Sequence, residues 1–298
     1  MRIGSKLKNY LKNGSLNDSG KIFICVCLII CITINFLKVN SFGKDLDLKS
    51  KSAVLIDGNT GRILYGKNEN EKMPMASTTK IMTCIVALES GKMNQIIKAS
   101  SKAVSMPKVK MYAKKGEQYY LKDLLYAMML ESFNDAAMIV AEGIGGSQEE
   151  FAKMMNKEAK KLMATGTHFV NSNGLHNDDH YTTAYDLYLI FNECIKNDDF
   201  DKIIKSKSHT AKVTGSSGAV RSITWEPTNF YATGEAEKPD NVTVIGGKTG
   251  TTKLAGNCLV LLTEDENNHP YISIVMNADT KPLLYKDMTA IVEAIPEK

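Results

Sequence analysis

Residues 74 to 91 read Pro-Met-Ala-Ser-Thr-Thr-Lys-Ile-Met-Thr-Cys-Ile-Val-Ala-Leu-Glu-Ser-Gly. Behind Pro74 and Ser77 comes an apolar run of Ile81, Met82, Cys84, Ile85, Val86 and Leu88, ended by Gly91. That pattern predicts a buried helix with Ser77 at or near its first turn. Ser77 and Lys80, three residues apart, then share one helix face. The helix N-terminus adds a partial positive charge and free N–H groups that favour an oxyanion. A serine hydroxyl is a poor nucleophile until a base removes its proton, and an uncharged lysine can do so. Burial or cationic neighbours would keep Lys80 uncharged. The same Ser-x-x-Lys spacing recurs at Ser5/Lys8, Ser41/Lys44 and Ser105/Lys108, so context rather than spacing singles out Ser77.

Upstream, Ala53 to Ile56 and Arg62 to Tyr65 read as strands of a hairpin turning through Asp57-Gly58-Asn59-Thr60-Gly61. Downstream, about residues 97 to 205 read as helical, with helical composition over Leu121 to Leu130 and Asn134 to Glu142. Ser147 and Glu150 form a capping box ahead of Phe151. The last third changes period: Asn241 to Thr251, Asn257 to Leu262 and Tyr271 to Met276 read as strands, with a short helix from about Tyr285. Strands at both ends with helices between them predict an α/β fold. An antiparallel sheet flanked by helices is built from both termini, and an all-helical subdomain is inserted at about 97–205.

The chain has 298 residues, 43% hydrophobic and 23% charged, an ordinary globular composition. Its net charge of +4 is confined to residues 1 to 21, where Arg2, Lys6, Lys8, Lys12 and Lys21 face Asp18 alone. The remaining residues carry 32 bases and 32 acids, so no global positive field is present to hold nucleic acid. Behind the basic start, Ile22 to Leu37 is mostly apolar and is followed by Ser41-Phe42-Gly43. This reads as an export segment with a cytoplasmic N-terminus, giving two parts, residues 1–43 and a catalytic domain over 44–298. Its length lies between a signal-peptide core and the roughly 17–25 residues of a transmembrane helix. Cleavage near Gly43 and retention as a membrane anchor both fit, and either puts the domain outside the cytoplasm. Cys25, Cys27 and Cys31 fall in the apolar run, and Cys84, Cys194 and Cys258 form neither a disulfide framework nor a metal spacing.

Two further elements follow Ser77 in order. Ser132-Phe133-Asn134 lies between two predicted helices, and Lys248-Thr249-Gly250 lies on a predicted strand behind Gly246-Gly247. Ser-x-x-Lys, a Ser-x-Asn and Lys-Thr-Gly in this order are the signature of penicillin-binding proteins and class A β-lactamases. With Asn134-Asp135-Ala136-Ala137, Thr167-His168-Phe169-Val170-Asn171 to Gly174-Leu175, His180-Tyr181-Thr182-Thr183-Ala184 and Ala255-Gly256-Asn257, the chain resembles the low-molecular-mass penicillin-binding proteins of the D-alanyl-D-alanine carboxypeptidase family over about residues 50 to 290.

The resemblance implies the DD-peptidase/β-lactamase-like fold and a serine peptidase that removes the terminal D-alanine from peptidoglycan stem peptides, with β-lactams as inhibitors. Ser77 would attack the carbonyl, Lys80 would take its proton, Ser132 would relay a proton to the leaving amine, and Asn134 would orient Lys80 and the substrate amide. Lys248 and Thr249 would hold the substrate carboxylate. Gly250 completes the motif, and the backbone N–H groups of Ser77 and Thr251 would form the oxyanion hole. The resemblance implies no metal or organic cofactor. Where many relatives carry an arginine after the last core strand, this chain has Leu284, with Lys281 and Lys286 nearby. The alternatives are a class A-like β-lactamase, a DD-endopeptidase or transpeptidase, and an inert wall-binding protein. Glu226-Pro227-Thr228-Asn229 superficially suggests the β-lactamase glutamate motif but lies too near Lys248. His176 and His180 read as solvated or structural rather than as metal ligands, and Cys84 as packing.

Overall fold

The structure, a computed structural model, describes residues 46–296. The chain divides into two units, 1–44 and 45–298, and every described residue belongs to the second. The export segment and its three cysteines lie outside the described residues.

The strands are β1 (Ser52–Asp57), β2 (Ile63–Lys67), β3 (Ile96–Lys98), β4 (Gln118–Tyr120), β5 (His209–Thr214), β6 (Val220–Trp225), β7 (Thr243–Thr252), β8 (Gly256–Glu264) and β9 (Pro270–Ala278). The helices are α1 (Thr79–Glu89), α2 (Ser101–Val104), α3 (Leu121–Leu130), α4 (Asn134–Gly145), α5 (Gln148–Lys161), α6 (Ala184–Cys194), α7 (Asp198–Lys205), α8 (Phe230–Thr233) and α9 (Lys281–Val292).

Five strands form an antiparallel sheet in the order β2-β1-β9-β8-β7. The N-terminal strand pairs with the C-terminal one, Ala53 opposite Val275 and Leu55 opposite Ser273, so the two ends of the domain close a single sheet. Both faces are covered, and this is why β1 and β8 are continuous apolar runs instead of alternating ones. Successive side chains still part company: Val54 and Ile56 enter the core shared with the central helices, while Ala53 and Leu55 pack towards Leu284, Met288 and Ile291 of α9. Thr280 caps α9 by accepting from the Leu283 N–H, so this helix begins four residues ahead of the expected Tyr285.

Helix α1 is buried along nearly its whole length, from Thr79 to Leu88. It touches α3, α4, α5, α6 and α7, the position expected of a helix apolar all round. The stretch from 97 to 205 is mostly helical, but its three-residue β3 and β4 pair with each other, and β4 meets β5. With the β5–β6 hairpin they make a second, four-stranded sheet that the sequence reading did not contain. Strands of three residues are too short to show a period, and β6 is exposed at most positions, so its pattern carries little apolar signal.

Candidate active site

Ser77 sits in a single 3-10 turn, Ala76–Thr78, that leads into α1. The turn is shaped from both sides by glycines. A Cβ on Gly174, whose φ is +85°, would stand 1.9 Å from the Ala76 carbonyl oxygen. A Cβ on Gly250 would stand 2.8 Å from the Ser77 nitrogen and 2.9 Å from the Thr78 nitrogen. Only residues without a side chain let the 171–175 loop and the edge strand β7 press against the Ser77 backbone. Ala76 at φ +48° and Ser132 at φ +65° both occupy the left-handed region, at a cost of about 1–3 kcal/mol each.

Lys80 is fully buried, and its Nζ lies 3.0 Å from Ser77 Oγ. It donates to Asn134 Oδ1 at 2.9 Å and to the Asn173 carbonyl at 2.6 Å. A neutral amine has two hydrogens and one lone pair, so two carbonyl acceptors use both donors and leave the lone pair for the Ser77 hydroxyl proton. Burial, and then the nearby Lys248 cation, pull the Lys80 pKa well below its ordinary value, with Asp135 acting weakly the other way. The Asn134 amide is fixed in turn: its Nδ2 donates to the carbonyls of Pro107 and Lys108, both at 3.2 Å, which turns Oδ1 towards Lys80. Asp135 accepts from the backbone N–H groups of Met111 and Ala113 and pins the same loop to the start of α4.

Ser132, in the connection between α3 and α4, meets Lys248 on β7, with Nζ donating to its Oγ at 3.0 Å. The same amine donates to the Thr249 carbonyl at 2.9 Å, and burial depresses its pKa to about 7. Two buried lysines thus each hold a serine hydroxyl on their amine. Thr249 is half-buried on β7, which is the edge of the sheet because only β8 pairs with it. Thr251 is exposed, and its hydroxyl donates to Asn257 Oδ1 at 3.0 Å.

The profile of the peptidase S11 family, D-alanyl-D-alanine carboxypeptidase, matches residues 38–280. The chain belongs to the D-alanyl-D-alanine carboxypeptidase family. It is 41% identical over 163 residues to the D-alanyl-D-alanine carboxypeptidase DacF of Bacillus subtilis, covering 53% of this chain and 42% of that one. It is 30% identical over 249 residues to the D-alanyl-D-alanine carboxypeptidase of Streptomyces sp. strain K15, covering 79% and 83%. The crystal structure of the Streptomyces K15 DD-transpeptidase superposes with a TM-score of 0.77 at 27% identity, over 85% of this chain and 98% of that one.

Within this carboxypeptidase family member, Ser77, Lys80 and Asn134 meet in one cluster, Ser132 meets Lys248, and Gly250 touches the backbone of Ser77. Sequence reasoning missed the Asn173 carbonyl and the clamp formed by residues 107–113. A backbone acceptor leaves no trace in residue type, so no signal for the first was available. Thr79 Oγ1 donates to the Ala76 carbonyl at 2.8 Å and meets His180 Nε2 at 2.7 Å. The hydroxyl therefore accepts from His180 Nε2–H, while Nδ1 accepts from the Val170 N–H at 2.9 Å. That fixes one neutral tautomer, and burial depresses the His180 pKa to about 4. His180 is thus structural. Cys84 is fully buried, and burial pushes its thiol pKa far up. The Glu226 N–H donates to Glu131 Oε1 at 3.3 Å. Leu284 is buried in the α9 core and is no substitute for a carboxylate-binding cation, and Lys281 lies over the Phe230 ring.

Proposed function

We propose that this protein is a serine-type D-Ala-D-Ala carboxypeptidase acting on peptidoglycan stem peptides through an acyl-enzyme on Ser77. The observation that carries the reading is Lys80. It is a buried amine whose pKa burial and the nearby Lys248 pull well down, with two carbonyl acceptors and Ser77 Oγ around its Nζ.

In this mechanism Lys80 takes the Ser77 proton as the oxygen attacks the carbonyl of the D-Ala-D-Ala bond. The Ser77 and Thr251 N–H groups receive the oxyanion, an interaction whose loss typically costs about a hundredfold or more in rate. The C–N bond breaks as Ser132, backed by Lys248, passes a proton to the leaving amine. Lys248 and Thr249 hold the carboxylate of the departing residue, Gly250 lets β7 approach, and Asn134 keeps Lys80 and the substrate amide in register. Water then hydrolyses the ester with Lys80 again as base. No step calls on a metal or organic cofactor. A β-lactam presents an activated amide to the same serine and is the matching inhibitor.

Work on peptidoglycan puts the domain outside the cytoplasmic membrane. The apolar segment around Ile22 to Leu37 carries the export, retained as an anchor or removed as a signal peptide. Among the described residues no helix is long and apolar enough to cross a membrane. The test is D-alanine release from a stem pentapeptide by the purified protein beside Ser77→Ala. Release that disappears in the variant supports the reading, and folded wild-type protein that releases none overturns it.

A further inference from the structure

The mechanism above makes no use of the second, four-stranded sheet. Residues directly opposite each other on paired strands share a side of the sheet, so the register assigns its outer face. Ile96 stands opposite Tyr120, Lys98 opposite Gln118, Gln118 opposite Thr214, and Thr214 opposite Val220. Lys212, two residues before Thr214 on β5, points the same way. The alternate residues Ile97, Tyr119, Ala211 and Val213 are buried on the inner side. On the outer side Lys98 and Lys212 are exposed, together with three large apolar side chains, Ile96 at 50%, Tyr120 at 38% and Val220 at 62%.

Single exposed apolar residues are ordinary on a protein surface. The charge around these is not. None of the four strands contains an aspartate or a glutamate. From residue 92 to residue 122 the chain carries eight lysines against Glu117 alone, although beyond residue 21 it balances 32 bases with 32 acids. Glu117 is buried and accepts from the Tyr119 hydroxyl and from Arg221, which faces inward opposite Val213. The next acid, Asp123, is buried against His209. Lys122 lies over the Tyr120 ring at the end of β4, and Lys114 and Lys115 are exposed in the turn before that strand. This turn sits beside the β5–β6 turn, since a Cβ on Gly116 would stand 3.4 Å from the Ser216 side chain. Lys98, Lys114, Lys115, Lys122 and Lys212 form no ion pair among the described residues.

We propose that this face docks on an anionic phospholipid bilayer, with its lysines at the lipid phosphates and Ile96, Tyr120 and Val220 at the boundary with the acyl chains. A sheet face is broad and shallow, so its cations meet a planar surface together. The apolar side chains choose the occupant. A hydrated polyanionic chain would use the lysines and gain nothing from an isoleucine, a tyrosine and a valine, whereas the headgroup region takes up both kinds of side chain. Each lysine close to an anionic bilayer strengthens the contact about fivefold, and its effect fades over a Debye length of about 8 Å at physiological salt. Contact of this kind keeps the domain at the membrane whether the export segment is retained or removed.

The experiment reads the exposure of each lysine by trace amine acetylation and peptide mass, in the full chain reconstituted with vesicles of phosphatidylcholine alone or with phosphatidylglycerol added. The expected result is that Lys98, Lys122 and Lys212 react about fivefold more slowly or less on the anionic vesicles than on the neutral ones. Lys286, exposed on α9 behind the five-stranded sheet, reacts equally on both. High salt removes most of the difference. Lys98→Glu/Lys212→Glu abolishes the protection of Lys122. Ile96→Thr/Val220→Thr, which keeps the charge and the strand-forming side-chain shape, brings the protection of all three lysines below about twofold. Thermal melting like that of the wild type shows that both variants are folded, and the wild-type comparison decides by itself should either fail to fold. Equal reaction on the two kinds of vesicle, or slowing that extends to Lys286, overturns the proposal. Protection that survives the threonine pair overturns the bilayer as the occupant and points to an anionic polymer instead.

Discussion

In the proposed mechanism Lys80 and Lys248, both buried amines, need opposite protonation states. Lys80 works as a base only when neutral, so kcat/KM rises with pH through its lowered pKa. Lys248 attracts a carboxylate only when charged, so kcat/KM falls as pH climbs past about 7 in the free enzyme. The two limbs belong to the coupled pair, because the Lys248 charge helps to keep Lys80 neutral. Lys248→Ala should therefore shift the acid limb to higher pH as well as weaken carboxylate binding, as a pH–rate profile would show. Lys80→Arg should lose activity by about a thousandfold or more, as badly as Lys80→Ala, since a guanidinium cannot give up its proton. Acylation by a chromogenic β-lactam checks this directly. Lys248 also carries a stability consequence. Its folded pKa of about 7 lies below the ordinary 10.5, so between those values the unfolded chain binds more protons and stability rises with pH. Lys248→Met should raise Tm at pH 7 and do so much less at pH 10.5, as paired melting curves would record.

At the level of elements, the proposed mechanism depends on close approach between three backbones: the Ser77 turn, the Asn171–Leu175 loop and β7. Gly250→Ala would set a Cβ at 2.8 Å from the Ser77 nitrogen, where neither strand nor turn can yield without moving the nucleophile. We expect acylation to slow by about tenfold or more, the cost of misplacing reacting groups, with only a small change in Tm; stopped-flow β-lactam binding measures the first and calorimetry the second. The glycines, the Ser77–Lys80 spacing and the order of the three motifs were all readable as residue types. The clamp over residues 107–113 was not, because it is made by Pro107, Lys108 and Val109 carbonyls and by N–H groups of Met111 and Ala113. By sequence alone His180 reads as either solvated or structural. Burial among Thr79, Val170 and the Phe169 ring, which sequence spacing cannot report, decides for the second.

Over the whole molecule, the central sheet separates two cores. One, with α1, carries the site, and the other, with α9, only supports the sheet. Leu259→Ala, on the α9 side of β8, should cost about 2–5 kcal/mol and lower Tm while kcat per folded molecule stays near wild type. Thermal melting and active-site titration together would show it. Sequence periodicity by itself determined the hairpin β1–β2, the buried helix α1, the strands β7 to β9 and the antiparallel α/β class, since each of these elements satisfies its own local pattern. The short strands β3 and β4 and the exposed β6 lacked such a pattern, and only pairing across the fold reveals their sheet. The same division holds at the site. Residue types named Ser77, Lys80, Ser132, Asn134 and Lys248, because each chemical role demands a particular side chain. Tertiary structure alone decided that Lys80 is buried against two carbonyl acceptors and the Ser77 hydroxyl, and that Lys248 meets Ser132. Burial, acceptor geometry and the space between elements are properties of chain segments far apart in sequence.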